Sequence, residues 1–383
     1  MYQVLLNNGN GDIVIHDGNT IRNNTKLLSC NLVDELNKIS NLSFNVHYSH
    51  PNFNDFVELH TKISVLNTHK NAYVFKGRVL NISTSMDADG SITKSVTCES
   101  RLAYLNDSIQ PYTPERQYAG DINTSGLQEF ITTLLTNHNS QVEEYKKIYV
   151  GNITLQTWKT SDGVYKGLNY ETTWKAIQEK LLNVFGGEIR LREENNTLYL
   201  DYAESFGTTR NTKIELGRNL KSVQQDFDVT KIITRLIPLG AKQTDEEGNE
   251  TEERLTIADV NDGCIYVEDE TALARYGAIY ATVEWDDVTI NTNLLSKARD
   301  YLVENNNVHV NNSVTALNLY LLGLDVDDIN LGDSYPTKNS LLNIDETMRV
   351  VKTNINILAI ETLISAIFYL PKNLLLIWER VHE

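Results

Sequence analysis

Residues 227–242, FDVTKIITRLIPLGAK, read as a strand that two dissimilar halves of the chain must share. Ile232, Ile233, Leu236, Ile237 and Leu239 form a nearly continuous apolar run rich in β-branched side chains, which suits a buried strand, and Pro238 and Gly240 stop it. No partner strand follows. Residues 241–270 carry 11 Asp and Glu against 2 Lys and Arg, and strand patterns of the same apolar kind return only near Ser313. The spacing predicts a β domain that begins over residues 220–240, is interrupted, and closes over residues 308–353, where 314–319 and 348–357 alternate again.

The interruption, residues 241–307, reads as α/β. A polar hairpin centres on residues 247–249, a short helix near 271–276 is closed by Gly277, and a strand spans 279–285. A second helix places Leu294, Leu295, Ala298, Tyr301 and Leu302 on one face behind an Asn291 or Thr292 cap. Unpaired buried carboxylates cost several kcal/mol each, so the acid-rich stretch should be exposed, with only Leu255, Ile257, Ile265 and Val267 buried.

Upstream, residues 1–109 read as all-β, with strand runs at 2–6, 42–48, 73–82 and 91–99 separated by Gly, Asn and Asp clusters. Asp87-Ala88-Asp89-Gly90 supplies the clearest hairpin turn. Composition changes after Ile109. Thr124 or Ser125 caps a helix with Gln128 placed for a capping box, and Leu127, Phe130, Ile131, Leu134 and Leu135 form its apolar stripe. Tyr170, Trp174, Ile177 and Leu181 repeat at helical spacing until Gly186-Gly187 ends the pattern. A hairpin follows, with Ile189 and Leu191 on one arm, Leu198, Leu200 and Tyr202 on the other, and Asn195-Asn196 at the turn. Residues 110–219 are therefore an α+β unit.

Composition bounds the function. The chain of 383 residues is 41% hydrophobic and 22% charged, with a net charge of −17, as fits a folded, acidic, multidomain protein. Phosphate would be repelled, which argues against nucleic-acid and acidic-membrane partners. Cys30, Cys98 and Cys264 are odd in number and far apart, suggesting neither a disulfide framework nor a zinc site. The start shows no basic region or apolar core of an export signal.

Several stretches together resemble the tail-associated hub proteins of phages and prophages of Gram-positive hosts, a family often labelled prophage tail endopeptidase or minor structural protein. They are RLAYLNDSIQ (101–110), NHNSQV (137–142), YETTWKAIQEKL with TLYLDY inside 170–202, ITRLIPLGA (233–241), RYGAIYATVEWDDVT (275–289) and LDVDDINLGDSY (324–335). They run in the family's order over residues 1–353. The resemblance implies an α+β multidomain chain of two β-barrel tube domains, each with an α/β accessory domain, in a trimeric baseplate hub. It further implies a virion tail-tip protein, made in the bacterial cytoplasm, that meets the hexameric ring of distal tail or tube protein and the tape measure protein. Contact with the host surface would run through other tip components. Such proteins carry lytic activity, where present, C-terminal to the hub, and this chain stops where those regions would begin.

No catalytic, cofactor-binding or metal-ligating residue is assigned, and neither specific nucleic-acid binding nor stable membrane insertion is expected. His47, His50 and His60 have zinc-like spacing, but strand period and the turn at Pro51 point them apart. Asp325, Asp327 and Asp328 lack the glycine and the distal bidentate Glu of a calcium loop and read as a solvated turn. Cys98 beside Glu99 reads as a small core residue of an alternating strand rather than a nucleophile. The competing readings are a cell-wall hydrolase and a carbohydrate-binding adhesin with some of the 19 Tyr on its surface. Residues 354–383 form an atypical apolar tail: 355–370 is almost uncharged, yet Glu361 and Pro371-Lys372 spoil it as a membrane span. It is expected to pack as an improvised helix or to lack order.

Overall fold

The computed structural model describes residues 2–18, 25–118, 124–155, 165–245, 247, 249–286, 288–317, 319–322, 324–342, 344–358 and 363–369. It is rich in sheet and poor in helix. In chain order the strands are β1 (Tyr2–Asn7), β2 (Ile13–Asp17), β3 (Ser29–Glu35), β4 (Asn41–His47), β5 (Lys62–Asn67), β6 (Ala72–Met86), β7 (Ile92–Ser100), β8 (Thr113–Gln117), β9 (Ile148–Ile153), β10 (Tyr165–Leu168), β11 (Glu188–Glu194) and β12 (Thr197–Ala203). There follow β13 (Ile214–Glu215), β14 (Leu220–Asp228), β15 (Arg235–Leu239), β16 (Lys242–Thr244), β17 (Glu250–Arg254), β18 (Val267–Glu268), β19 (Tyr280–Glu284), β20 (His309–Leu317), β21 (Ser334–Asn339), β22 (Ile344–Asn356) and β23 (Leu363–Tyr369). The α-helices longer than one turn are α1 (Thr124–Gln141), α2 (Thr173–Ile177), α3 (Glu270–Tyr276) and α4 (Asn291–Asn305).

The described residues divide into two compact units, one built from residues up to Val223 and from Ser313 onward, the other from Gln224–Asn312. A 13-stranded sheet takes the order β14-β20-β23-β22-β3-β4-β7-β6-β5-β1-β2, with β21 and β13 branching from β22. Two closed barrels were expected, but among the described residues hydrogen bonding closes neither β lobe, and the two share a continuous sheet. The reason lies in β22. At 13 residues it outruns any one neighbour, so its first half pairs with β21 through Ile344–Arg349 and its second half with β3 through Lys352–Asn356. Ile355 packs against the cores of both lobes.

Each core follows from its pattern. Alternation in the first lobe buries Val4, Leu6, Phe44, Val65, Val79 and Cys98. In the α+β lobe, Leu127, Phe130, Ile131, Leu134 and Leu135 are all buried, as their helical spacing predicts. The caps at Thr124 and Ser125 rest on side chains outside those described. The hairpin β11–β12 turns at Asn195 and Asn196, both at positive φ (49° and 63°), the conformation a two-residue turn needs. Helix α2 starts later than its pattern suggested. Tyr170 sits before it at φ 60° and 66% exposed, because Thr172, accepting from the Lys175 N–H, is the actual N-cap. The helix then continues as a π-helical turn, Gln178–Leu182.

The second unit corrects the reading of residues 227–242. Strand β15 does not open the second β lobe. It is the middle strand of a separate sheet, β18-β15-β19, parallel to β19 over Arg235–Leu239. Its core is Ile233, Leu236, Ile257, Val267 and the α4 residues Leu294, Ala298 and Leu302. The strand thus belongs to the expected α/β insertion rather than to the domain being interrupted. Pro238 fits because β18 covers only Arg235 and Leu236, leaving no donor required further along that edge. In the acid-rich stretch Ile257 and Val267 are buried and Leu255 partly so, but Ile265 is 47% exposed; the Asn261 amide, donating to the Cys264 and Tyr266 carbonyls, loops the chain so that Ile265 faces outward. Ile290, not Asn291 or Thr292, occupies the N-cap of α4.

The expected helix or disorder after residue 359 is also corrected in part. Residues Leu363–Tyr369 form β23, antiparallel to β22, since an apolar segment next to an open strand edge gains a full ladder of backbone bonds there. The rest of that tail lies outside the described residues.

Candidate functional site

Three of the sequence stretches singled out above meet in one buried polar network. Ser108 Oγ lies 2.7 Å from His138 Nδ1 and 2.7 Å from Thr173 Oγ1. Gln110 Nε2 donates to Thr173 Oγ1 (2.6 Å) and to the Leu134 carbonyl (3.0 Å), while its carbonyl oxygen accepts from Asn137. His138 Nε2 faces the Lys146 carbonyl at 3.1 Å, which makes Nε2 the donor and Nδ1 the acceptor of the Ser108 proton. Around it, Asn139 exchanges two bonds with the Ile148 backbone, and Gln141 two with Ile109. Every polar side chain of Asn137–Gln141 is engaged.

A serine hydroxyl on a histidine is the geometry of an activated nucleophile. Here it is a strut. Ser108 is 2% and His138 0% exposed, so no substrate carbonyl can approach. The ring's second nitrogen meets a main-chain carbonyl rather than a carboxylate. Burial lowers the His138 pKa, keeping the imidazole neutral.

Charged pairs tie this lobe to both β lobes. Arg78, 5% exposed, makes a bidentate pair with Asp107 (2.5 and 2.7 Å) and bonds Glu99 at 2.8 Å. Burial works to raise the Asp107 carboxyl, but Arg78 and Lys146 outweigh it and hold it below its usual range. Glu193 accepts from Arg101 and Lys76, which bring its pKa down to about 2. Asn37, at the β3–β4 turn, donates to the Gly187 carbonyl and accepts from the Ile189 N–H. On the other side Arg349 of β22 holds Glu188 of β11 and the Phe206 and Gly332 carbonyls.

The acidic run 325–333 was expected as a solvated turn, but its carboxylates are bonded to protein groups. Asp325 accepts from Arg218 and Asn219, and Asp327 from the backbone N–H groups of Asn211 and Thr212 (3.0 and 2.9 Å). Those backbone bonds, Thr212's first, hold the Asp327 carboxyl below its usual range. Asp328 pairs with Lys70, and Asp333 takes the Thr208 N–H and Arg210. Asp325, Asp327 and Asp333 thus fasten residues 208–219, and Asp328 ties the run to Lys70. Their signal in the sequence was present but ambiguous, because fastening a distant loop and coordinating a cation demand the same residue types.

The remaining candidates have separate partners. His47 bonds Ser49, His50 meets the Ile15 carbonyl and is buried, and His60 is exposed. Burial pushes the Cys98 and Cys30 thiols up, opposite to a reactive thiolate. Among the described residues no group of three or more His, Cys, Asp or Glu is placed to hold a metal ion, and no helix is long and apolar enough to cross a membrane.

Residues 208–363 match the family described as prophage endopeptidase tail. No curated protein matches the chain. Among solved structures, the 43 kDa tail protein of prophage MuSo2 from Shewanella oneidensis is similar in fold at TM-score 0.65 and 13% identity, over 97% of this chain and 98% of that one. The tail protein from Neisseria meningitidis gives 0.60 at 11% identity over 96% of each. The prophage tail protein gp18 from Listeria monocytogenes gives 0.56 at 14%, over 99% and 98%. Over residues 208–363 this protein is similar in sequence to the family described as prophage endopeptidase tail, and along nearly its whole length it is similar in fold to tail proteins, two of them from prophages.

Proposed function

We propose that this chain is a structural component of a phage or prophage tail, the trimeric baseplate hub that joins the tail tube to the host-facing tip, and that it catalyses no reaction. One observation carries the reading: a single chain sets two β lobes side by side, fastened edge to edge where β3 meets β22. Three copies of two lobes match a six-fold tube ring, and closed cyclic symmetry asks for such a repeat around the axis. In this reading the first tube domain is residues 1–109, and the second is built from 220–228 with 308–353. Residues 110–219 and the inserted α/β unit are the accessory domains. The tube ring and tape measure protein are the partners, and the acidic surface keeps passing DNA from adhering.

The absence of turnover is supported by the closed Ser108–His138 pair and by buried thiols pushed away from reactivity. Native mass spectrometry tests the assembly: a species of about 130 kDa, three times the 43.5 kDa chain, is expected. A monomer at all concentrations overturns the proposal, and a cleared band in cell-wall zymography overturns its non-enzymatic part.

A further inference from the structure

Strand β6 is longer than its cover. With 15 residues it pairs with β7 through Gly77–Met86 on one side, but on the other β5 reaches only Ala72–Arg78. Val79 makes two more outer bonds, to Leu59 and Thr61. From Leu80 to Met86 the backbone groups on the outer edge make no backbone hydrogen bond among the described residues. The stretch reads LNISTSM, and all of it except Ile82 is exposed, Met86 to 69%.

Soluble proteins blunt an open strand edge with charge or proline, because its unpaired N–H and C=O groups template an incoming strand. These residues contain neither. The register shift between Val79 and Asn81 turns the ribbon at its base, and beyond it the pairing with β7 is regular. An edge of this kind recognises extended backbone, whatever the side chains.

We propose that Leu80–Met86 is a strand-addition edge for a second copy of this chain. At a net charge of −17, two copies repel wherever charged surfaces meet. A charge-free edge is where like chains can touch, whereas a basic partner would select the acidic surface instead. The copy also has a strand to offer: β14, nine residues long, is the terminal strand of the same sheet. One accepting edge and one donated strand per chain make a head-to-tail interface, the kind that forms a ring when its rotation closes. This inference rests on the hub reading and adds the residues that close the ring.

Hydrogen exchange by mass spectrometry on the full chain, concentrated and diluted, tests it. Amides of residues 80–86 should exchange at least about ten-fold slower in the assembled form, as outward N–H groups gain partners. A trimer in which they exchange as fast as in the monomer overturns this inference and leaves the hub reading standing. A chain that never assembles overturns both. Protection that appears only when a different tail protein is added overturns the choice of occupant. Ser83→Pro and Thr84→Pro form the second arm. Successive residues point their N–H groups to opposite edges, so one variant removes an outward donor and leaves the β7 ladder intact. That variant should keep the monomer's melting temperature and lose the trimer; assembly by both variants overturns the proposal.

Discussion

Replacing Arg349 by Met isolates the join between the α+β lobe and the second β lobe. Arg349 gives Glu188 two bonds, one of them at 2.8 Å, and donates to the Phe206 carbonyl at 2.6 Å and the Gly332 carbonyl at 2.9 Å. Glu188 is 6% exposed. Its remaining donor is the Phe206 N–H at 2.8 Å. Met fills much of the arginine stem's volume, so the loss is mainly one of charge and hydrogen bonds. Stranding a buried carboxylate costs about 3–5 kcal/mol. Water reaching the one-fifth-exposed Arg349 position sets the lower end as the expectation, about 3 kcal/mol. For a unit of this size, that lowers the melting transition by about 5 °C. Glu188→Gln in the same chain removes the stranded charge and should recover at least half of the loss. Calorimetry of the two single variants and the double variant reads the coupling. A loss below about 1 kcal/mol for Arg349→Met, or a double variant no better than the single, would refute the buried-pair reasoning.

Other consequences can be checked in parallel. Burial depresses the pKa of both His138 and His16, so below about pH 6.5 the unfolded chain takes up protons that the folded chain refuses; stability should be full above that pH and decline beneath it in melts at stepped pH. Glu193 adds a second acid limb: its contribution is present above about pH 4.5 and fades as pH falls toward 2, and Glu193→Gln should flatten that limb. Asn139→Ala strands the Ile148 N–H and carbonyl, each bonded at 2.9 Å, and should cost about 1–3 kcal/mol in urea unfolding. Gly207→Ala should cost more than 1 kcal/mol by the same assay, since Gly207 has φ +98° and a Cβ there would meet the Gly332 carbonyl oxygen at 2.2 Å.

What the sequence made legible was local. The α1 stripe, the Asn195-Asn196 turn and the Asp87–Gly90 hairpin each satisfy a short-range rule, and each stands where that rule puts it. Partnership between distant strands was less visible. Ile232 to Leu239 is equally apolar whether it opens the second β lobe or sits under α4, and only the parallel pairing with Tyr280–Glu284 decides. The span of β22 over two lobes has no local signature either, since alternation shows which face is buried but not which strand lies on each edge. Among polar residues, NHNSQV and LDVDDINLGDSY carried the family resemblance without revealing why. The structure supplies the reason: their side chains bind backbone far away in sequence, such as Asp327 on Asn211 and Thr212, and short-range rules do not reach that far.

Cryo-electron microscopy of the assembled protein would image the lobes and the channel between copies. A ring of three chains is expected, in which the β1–β7 lobe and the lobe containing β20–β22 alternate as six lobes around an open channel, the two lobes superposing on each other. A single chain, or an assembly in which the lobes lie back to back with no channel, would contradict it.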